Sequence, residues 1–290
     1  MDATLFQIVL EKLLNQTVKV YSLHHLSGGE VNQSYKVVSD KGVFYVKCHA
    51  IKQYPRYFEK EKNGLLELKS AECLDVCKPI GVQELGLNTF FVLEYIESTA
   101  PHKDFYALLG EGLAKQHKIT NRYFGYSEDN YLRQCTQINH RMSNWSEFFI
   151  KYRLLNNIKV VADKYHLSQE TMRLFERFIE FVEFAFPEEP PALLHGDFWK
   201  EHIISNAEGA PCLLNPSVYF GHREMDLAMS KLVGSFPMEF YEAYQSVYPL
   251  QSDWEIRLDF CKMYYHLVHF NNYGQAYFPS IQALLNKWVK

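Results

Sequence analysis

The stretch His195-Gly196-Asp197-Phe198-Trp199, with Asn215-Pro216 and then Gly221-His222-Arg223-Glu224-Met225-Asp226 following it, decides how this chain is read. The apolar Ala192-Leu193-Leu194 before it predicts a short strand that delivers Asp197 onto a loop, where a carboxylate can reach a substrate hydroxyl. Asp197 is therefore the candidate base. Just beyond it, His202-Ile203-Ile204 and Cys212-Leu213-Leu214 flank the turn-forming Asn206-Ala207-Glu208-Gly209 and predict a hairpin. Such a hairpin returns residue 215 to the end of the strands where residues 197 to 202 lie.

Outward from this centre the two halves of the chain differ. Residues 3 to 16 place Leu5, Val9, Leu10, Leu13 and Leu14 at helical spacing. Residues 18 to 26 and 33 to 49 then alternate β-branched and aromatic side chains, and Asp40-Lys41-Gly42 marks a hairpin turn. Lys47 falls at the end of one of these strands. A helix is predicted over residues 58 to 74 and a buried strand over 88 to 96. After about residue 102 the pattern is mostly helical, over 105 to 117, 145 to 165, 169 to 186, 225 to 232, 237 to 248 and 254 to 270. The fold class read from this order is α+β, with a small, mostly β N-terminal lobe over residues 1-97 and a larger helical lobe over 98-290.

Bulk properties narrow the function. The chain has 290 residues, 47% hydrophobic and 16% aromatic, which is ample for a sizeable core. A formal charge of -4, with both signs spread along the chain, gives no electrostatic case for a nucleic-acid or membrane partner, so a small molecule is expected. No basic, apolar and small-residue leader opens the sequence and no long apolar run follows, so a cytoplasmic location is expected. The six cysteines are too scattered for a disulfide framework, and Cys73 and Cys77 lack a second ligand pair for zinc; free, mostly buried thiols are expected.

A β lobe with a strand lysine, a following helix with acidic residues, a buried strand leading into a hinge, and a helical lobe with an HxD loop are the parts of a kinase-like ATP site. The chain resembles the fructosamine kinase (ketosamine-3-kinase) family, relatives of the aminoglycoside and choline kinases within the protein-kinase-like fold. The matching segments are Ser27-Gly28-Gly29-Glu30-Val31-Asn32, Tyr45-Val46-Lys47, residues 58 to 65, Phe124-Gly125, Asp129-Asn130, residues 145 to 149, residues 195 to 199, and Tyr219 to Met229. The last of these, with Phe236-Pro237 and Phe240-Tyr241-Glu242-Ala243-Tyr244, is the most family-specific.

The resemblance implies a two-lobed phosphotransferase with ATP as cofactor, an ATP-binding lobe at 1-97, and a catalytic loop and acceptor site within 98-290. Asp197 would accept the proton of a sugar hydroxyl on a small-molecule or protein-bound ketosamine, and the consequence of phosphorylation would be deglycation. Lys47 would hold the phosphates, oriented by Glu61, with Glu59 as the competing carboxylate. Gly28 and Gly29 would let backbone amides approach phosphate, the alternative being a plain turn. Glu94, Tyr95 and Ile96 would form the hinge that reads the adenine edge.

Two positions depart from the family pattern. Where the family carries an asparagine and an aspartate as magnesium ligands, this chain has His202 and Asn215. Mg2+ is expected by resemblance but with a weakened shell, since an amide replaces a carboxylate; turnover would slow by roughly 10²- to 10⁴-fold. An imidazole and an amide suit Mn2+ or zinc better, which is the alternative for the same pair. His195 and Asp226 read as structural braces of the loop, and Arg223 with Glu224 as an internal ion pair. Trp199, Tyr219 and His269 are the acceptor-side candidates, with core packing the competing role for the aromatics. The leading reading is a fructosamine-kinase-like phosphotransferase. Its alternatives are a pseudokinase that binds a nucleotide or other ligand without turnover, and a kinase for another alcohol or amino sugar.

Overall fold

The computed structural model describes residues 2–26, 32–52 and 54–289; Gly28 and Gly29 lie outside them. The chain divides into two compact units, Met1–Phe105 with Ile203–Asn215, and Tyr106–His202 with Pro216–Lys290.

The first unit runs α1 (Ala3–Leu14), β1 (Val20–Leu26), β2 (Gln33–Ser39), β3 (Gly42–Ala50), α2 (Tyr57–Ser70), β4 (Asp75–Val76), β5 (Pro79–Leu85) and β6 (Asn88–Glu94). Five strands form one antiparallel sheet in the order β1-β2-β3-β6-β5. Alternation along β3 sorts its side chains. Val46 and Cys48 join Phe90, Val92 and the α1 residues Phe6, Val9 and Leu10 in one fully packed cluster. Each such apolar side chain contributes about 1.5–3 kcal/mol by leaving water. Lys47, between them, takes the other face. There α2 presents Phe58, Glu61, Leu65 and Leu68, all buried and recurring at helical spacing, so Glu61 belongs to the packed stripe itself.

The hairpin Ile203–Ser205/Pro211–Leu213 belongs to this first unit and not to the helical half. Its second strand runs parallel to β4, pairing Cys212 with Asp75 and Leu213 with Val76, and the Cys77 amide extends the ladder to the Leu213 carbonyl at 2.9 Å. The break between the halves falls after Phe105, so the boundary expected after residue 97 moves, and residues 203 to 215 change sides. Non-local pairing decides this, and local periodicity carries no trace of it.

The second unit contains α3 (Phe105–His117), α4 (Trp145–Phe148), α5 (Asn156–Tyr165), α6 (Gln169–Ala185), α7 (Glu224–Leu232), α8 (Met238–Val247), α9 (Trp254–Tyr273) and α10 (Phe278–Val289). The single helix predicted over 145 to 165 is interrupted by a π-helical stretch, Phe149–Leu155. This widened turn carries the fully buried Arg153, whose guanidinium donates to Ile138 O and to Asn139 Oδ1 (2.7 Å) and lies 4.2 Å over the Tyr219 ring. The predicted strand Ala192–Leu194 pairs antiparallel with Tyr219–Gly221, with Leu193 opposite Phe220. The elements expected from sequence do not include β4, β5, the two strands of the hairpin Asn130–Leu132/Cys135–Gln137, the strand Tyr219–Gly221, or α10. The strands are short or polar, whereas α10 does show a stripe in Ile281, Leu285 and Val289.

Among the described residues, no helix is long and apolar enough to cross a membrane. The six cysteines are free, and all but Cys73 are buried.

Candidate active site

In the first unit the site is built around Lys47. Its ammonium pairs with the Glu61 carboxylate, and the two groups are only 4% and 8% exposed. The competing Glu59 turns instead to Lys62 at the surface. A second oxygen, Asn215 Oδ1, accepts from the same ammonium at 2.7 Å. Asn215 sits in left-handed backbone, φ 55°, a conformation asparagine tolerates better than other non-glycine residues. At the end of β6, the Glu94 amide donates to Lys78 O (3.0 Å) and the Tyr95 amide to Val43 O (3.3 Å). Both amides are thus spent inside the unit. The Glu94 carboxylate caps the Lys78 amide at 2.6 Å, the Lys36 ammonium lies 4.1 Å over the Tyr95 ring, and Ile96 follows in irregular, half-buried backbone.

In the second unit the loop after Ala192–Leu194 is fixed by its backbone. Gly196 has φ +82°, and a Cβ there would come within 2.0 Å of Ser217 O, so no other residue fits. The Ser217 amide donates to His195 O at 2.8 Å. Asp226, in the first turn of α7, accepts from the His195 amide at 2.7 Å and from the Gly196 amide at 2.9 Å. Behind Asp226 stands His117, Nε2 at 3.2 Å from the carboxylate and Nδ1 at 2.8 Å from the Tyr244 hydroxyl. A ring that donates through Nε2 and accepts through Nδ1 is neutral, and burial lowers the His117 pKa accordingly. His195 accepts the Asp197 amide on Nδ1 (3.2 Å), which leaves the proton of its neutral ring on Nε2. His117 was not a sequence candidate; a lone histidine in a helix carries no local signal.

Asp197 itself is 3% exposed, and its Oδ2 lies 3.4 Å from His202 Nδ1. That nitrogen is also 2.9 Å from Asp197 O and 3.1 Å from the Trp199 indole N–H. The carbonyl requires a proton on Nδ1 and the indole requires a lone pair, so either tautomer commits it within the loop. Trp199 is half-buried and faces the Arg133 guanidinium at 5.4 Å.

Several sequence candidates are placed elsewhere. Tyr219 is fully buried between Arg153 and Phe148, so core packing takes the place of an acceptor-facing role. His269 is 5% exposed and packs on Tyr273 and Tyr277; burial holds its pKa down to about 3. Arg223 and Glu224 do not pair with each other. Arg223 makes a two-pronged contact with Glu189 (2.7 Å each), and Glu224 is gripped by Arg257 (2.6–3.1 Å), because adjacent residues at a helix start diverge.

The two altered positions do not fit magnesium. Its shell asks for hard oxygen donors, whereas His202 offers nitrogen and the one oxygen of the Asn215 side chain already faces an ammonium. Among the described residues, no group of three or more His, Cys, Asp or Glu is arranged to hold a metal ion.

Comparison with solved structures defines the class. The chain superposes on the aminoglycoside phosphotransferase APH(4)-Ia, in its ternary complex with ADP and hygromycin B, with a TM-score of 0.65 at 12% identity over 98% of both chains. The fold is therefore the protein-kinase-like fold. A candidate fructosamine-3-kinase from Haemophilus somnus 129PT is closer, with a TM-score of 0.89 at 24% identity over 98% of this chain and 97% of the other. The chain belongs to the fructosamine kinase family, whose model matches residues 2–290. An Enterococcus faecium protein named "Probable ketoamine kinase" is 33% identical over 267 residues, 90% of this chain and 93% of its own. The chloroplastic protein-ribulosamine 3-kinase of Oryza sativa subsp. indica is 31% identical over 281 residues, 95% of this chain and 81% of its own.

Proposed function

We propose that this chain is a phosphotransferase that moves the γ-phosphoryl group of ATP onto a sugar hydroxyl of a ketosamine. The observation that carries the reading is Asp197, a buried carboxylate on a loop pinned through the backbone of the two residues before it. Family membership supports the reaction class, and relatives named for ketoamines and ribulosamines support a glycated amine, free or on a protein, as acceptor.

On this reading the first unit binds ATP and the second the acceptor. Lys47, held in place by Glu61, neutralises phosphate charge as a point cation. Asp197 takes the acceptor proton while the hydroxyl oxygen forms its bond to the γ-phosphorus. The bond from that phosphorus to the bridging oxygen breaks, and ADP leaves with the electron pair. A tightly tethered carboxylate lowers the entropy lost on reaching this geometry. The product, a 3-phosphorylated ketosamine, is labile, so the outcome is deglycation.

Incubation of the protein with ATP and a fructose- or ribulose-modified lysine, followed by mass spectrometry, tests this directly. A phosphorylated acceptor supports the reading. Phosphate transfer to other amino sugars or alcohols alone moves the substrate class. Nucleotide binding with no transfer to any acceptor favours a pseudokinase, the reading that the neutral Asn215 supports.

A further inference from the structure

We infer that Asn215 is a phosphate donor and not a metal ligand, so that this protein binds a nucleoside triphosphate free of divalent cation as readily as its magnesium complex. The inference rests on the nucleotide reading above and concerns how that site meets its ligand.

The orientation of one amide carries the argument. The Lys47 ammonium has three N–H donors and no lone pair, so whatever it touches must accept. Its partners are the Glu61 carboxylate and Asn215 Oδ1, the latter at 2.7 Å. The oxygen of the Asn215 carboxamide is therefore fixed toward Lys47, and the NH2 group, which carries two donors, is turned away from it. No other side-chain hydrogen bond is found for Asn215 among the described residues. An aspartate in the same pose would present its second oxygen, an acceptor suited to a cation. Asparagine presents protons, which repel a cation and suit a phosphate oxygen.

Charge points the same way. Lys47 and Glu61 are a buried, mutually neutralised pair, and Asn215 adds no charge. A divalent cation brought to the Asn215 side chain would sit beside an ammonium with no anion of its own to hold it. A bare triphosphate, which keeps all of its terminal oxygens available, instead meets the remaining Lys47 donor and the amide protons together. Magnesium bound to the phosphates finds no free oxygen on Asn215 to complete its shell, so it adds nothing to binding at this side chain.

Titration calorimetry on the full chain, with ATP in excess EDTA and again in excess magnesium, tests the inference. The dissociation constants are expected to agree within about three-fold, a small part of the 1.4 kcal/mol that ten-fold represents. In Asn215→Asp the metal-free complex is expected to weaken by about ten-fold or more relative to the magnesium complex, because a carboxylate then faces phosphate. Wild-type binding that requires magnesium overturns the inference and leaves the nucleotide reading standing. Absence of binding in both conditions overturns the nucleotide reading and this inference with it. Equal ratios in the variant and the wild type overturn the assignment to Asn215.

Discussion

The Asp226 carboxylate accepts the backbone amides of His195 and Gly196, one oxygen to each at 2.7 and 2.9 Å, and so ties the start of α7 to the loop that presents Asp197. Both amides are buried, and a carboxylate is acceptor-only. Replacement with asparagine keeps the shape but sets an NH2 group against one of the two N–H donors. Asp226→Asn is expected to lose about 2–4 kcal/mol of stability and about 10²-fold in turnover, read by urea denaturation and a kinase assay.

Gly196 allows no substitute. With φ +82° and Ser217 O only 2.0 Å from a built Cβ, Gly196→Ala must move the irregular segment at Ser217 or the loop. A loss of at least about 2 kcal/mol is expected, with turnover abolished even in the folded fraction. Thermal unfolding and turnover per folded molecule separate the two effects.

Lys47 and Glu61 stabilise each other only as a pair. Removing one leaves the other charge buried, at a cost of about 3–5 kcal/mol. Lys47→Met should therefore destabilise strongly as well as abolish nucleotide binding, whereas Lys47→Met with Glu61→Leu should recover much of the stability and none of the binding. Denaturant unfolding together with calorimetry distinguishes these outcomes.

Stability should fall with acid before most carboxylates titrate. Burial lowers the pKa of His49 and His117, and takes His222 and His266 down to about 4 and His269 to about 3. The unfolded chain takes up protons near the ordinary histidine value of about 6.5, which the folded chain refuses. Stability from these groups is thus complete above that value and is lost as pH falls toward 4. The melting temperature is expected to drop steadily from pH 7 to pH 4.5, and His269→Phe should flatten the slope in that interval.

The sequence displayed the local parts of this molecule well and the non-local ones poorly. The helices α1, α2, α3 and α6 follow their apolar stripes, and the hairpin at Asp40-Lys41-Gly42 follows its turn residues. The preference for Glu61 over Glu59 is legible in its helical spacing to Leu65 and Leu68, with which it shares the buried face of α2. What stayed hidden depends on residues far apart in the chain. Arg223 finds Glu189 and Arg257 finds Glu224, His117 backs Asp226, and the hairpin at 203–213 pairs with β4. No window of sequence contains both partners of any of these. The burial of Tyr219 was equally out of reach, since its three-residue strand is too short to show alternation.

The most direct test of the account is ADP release by the purified chain with ATP and a small fructosamine acceptor, with Asp197→Ala as the blank. The account predicts acceptor-dependent release in the wild type that disappears in the variant. Release that is independent of acceptor, or equal in the two proteins, would contradict it.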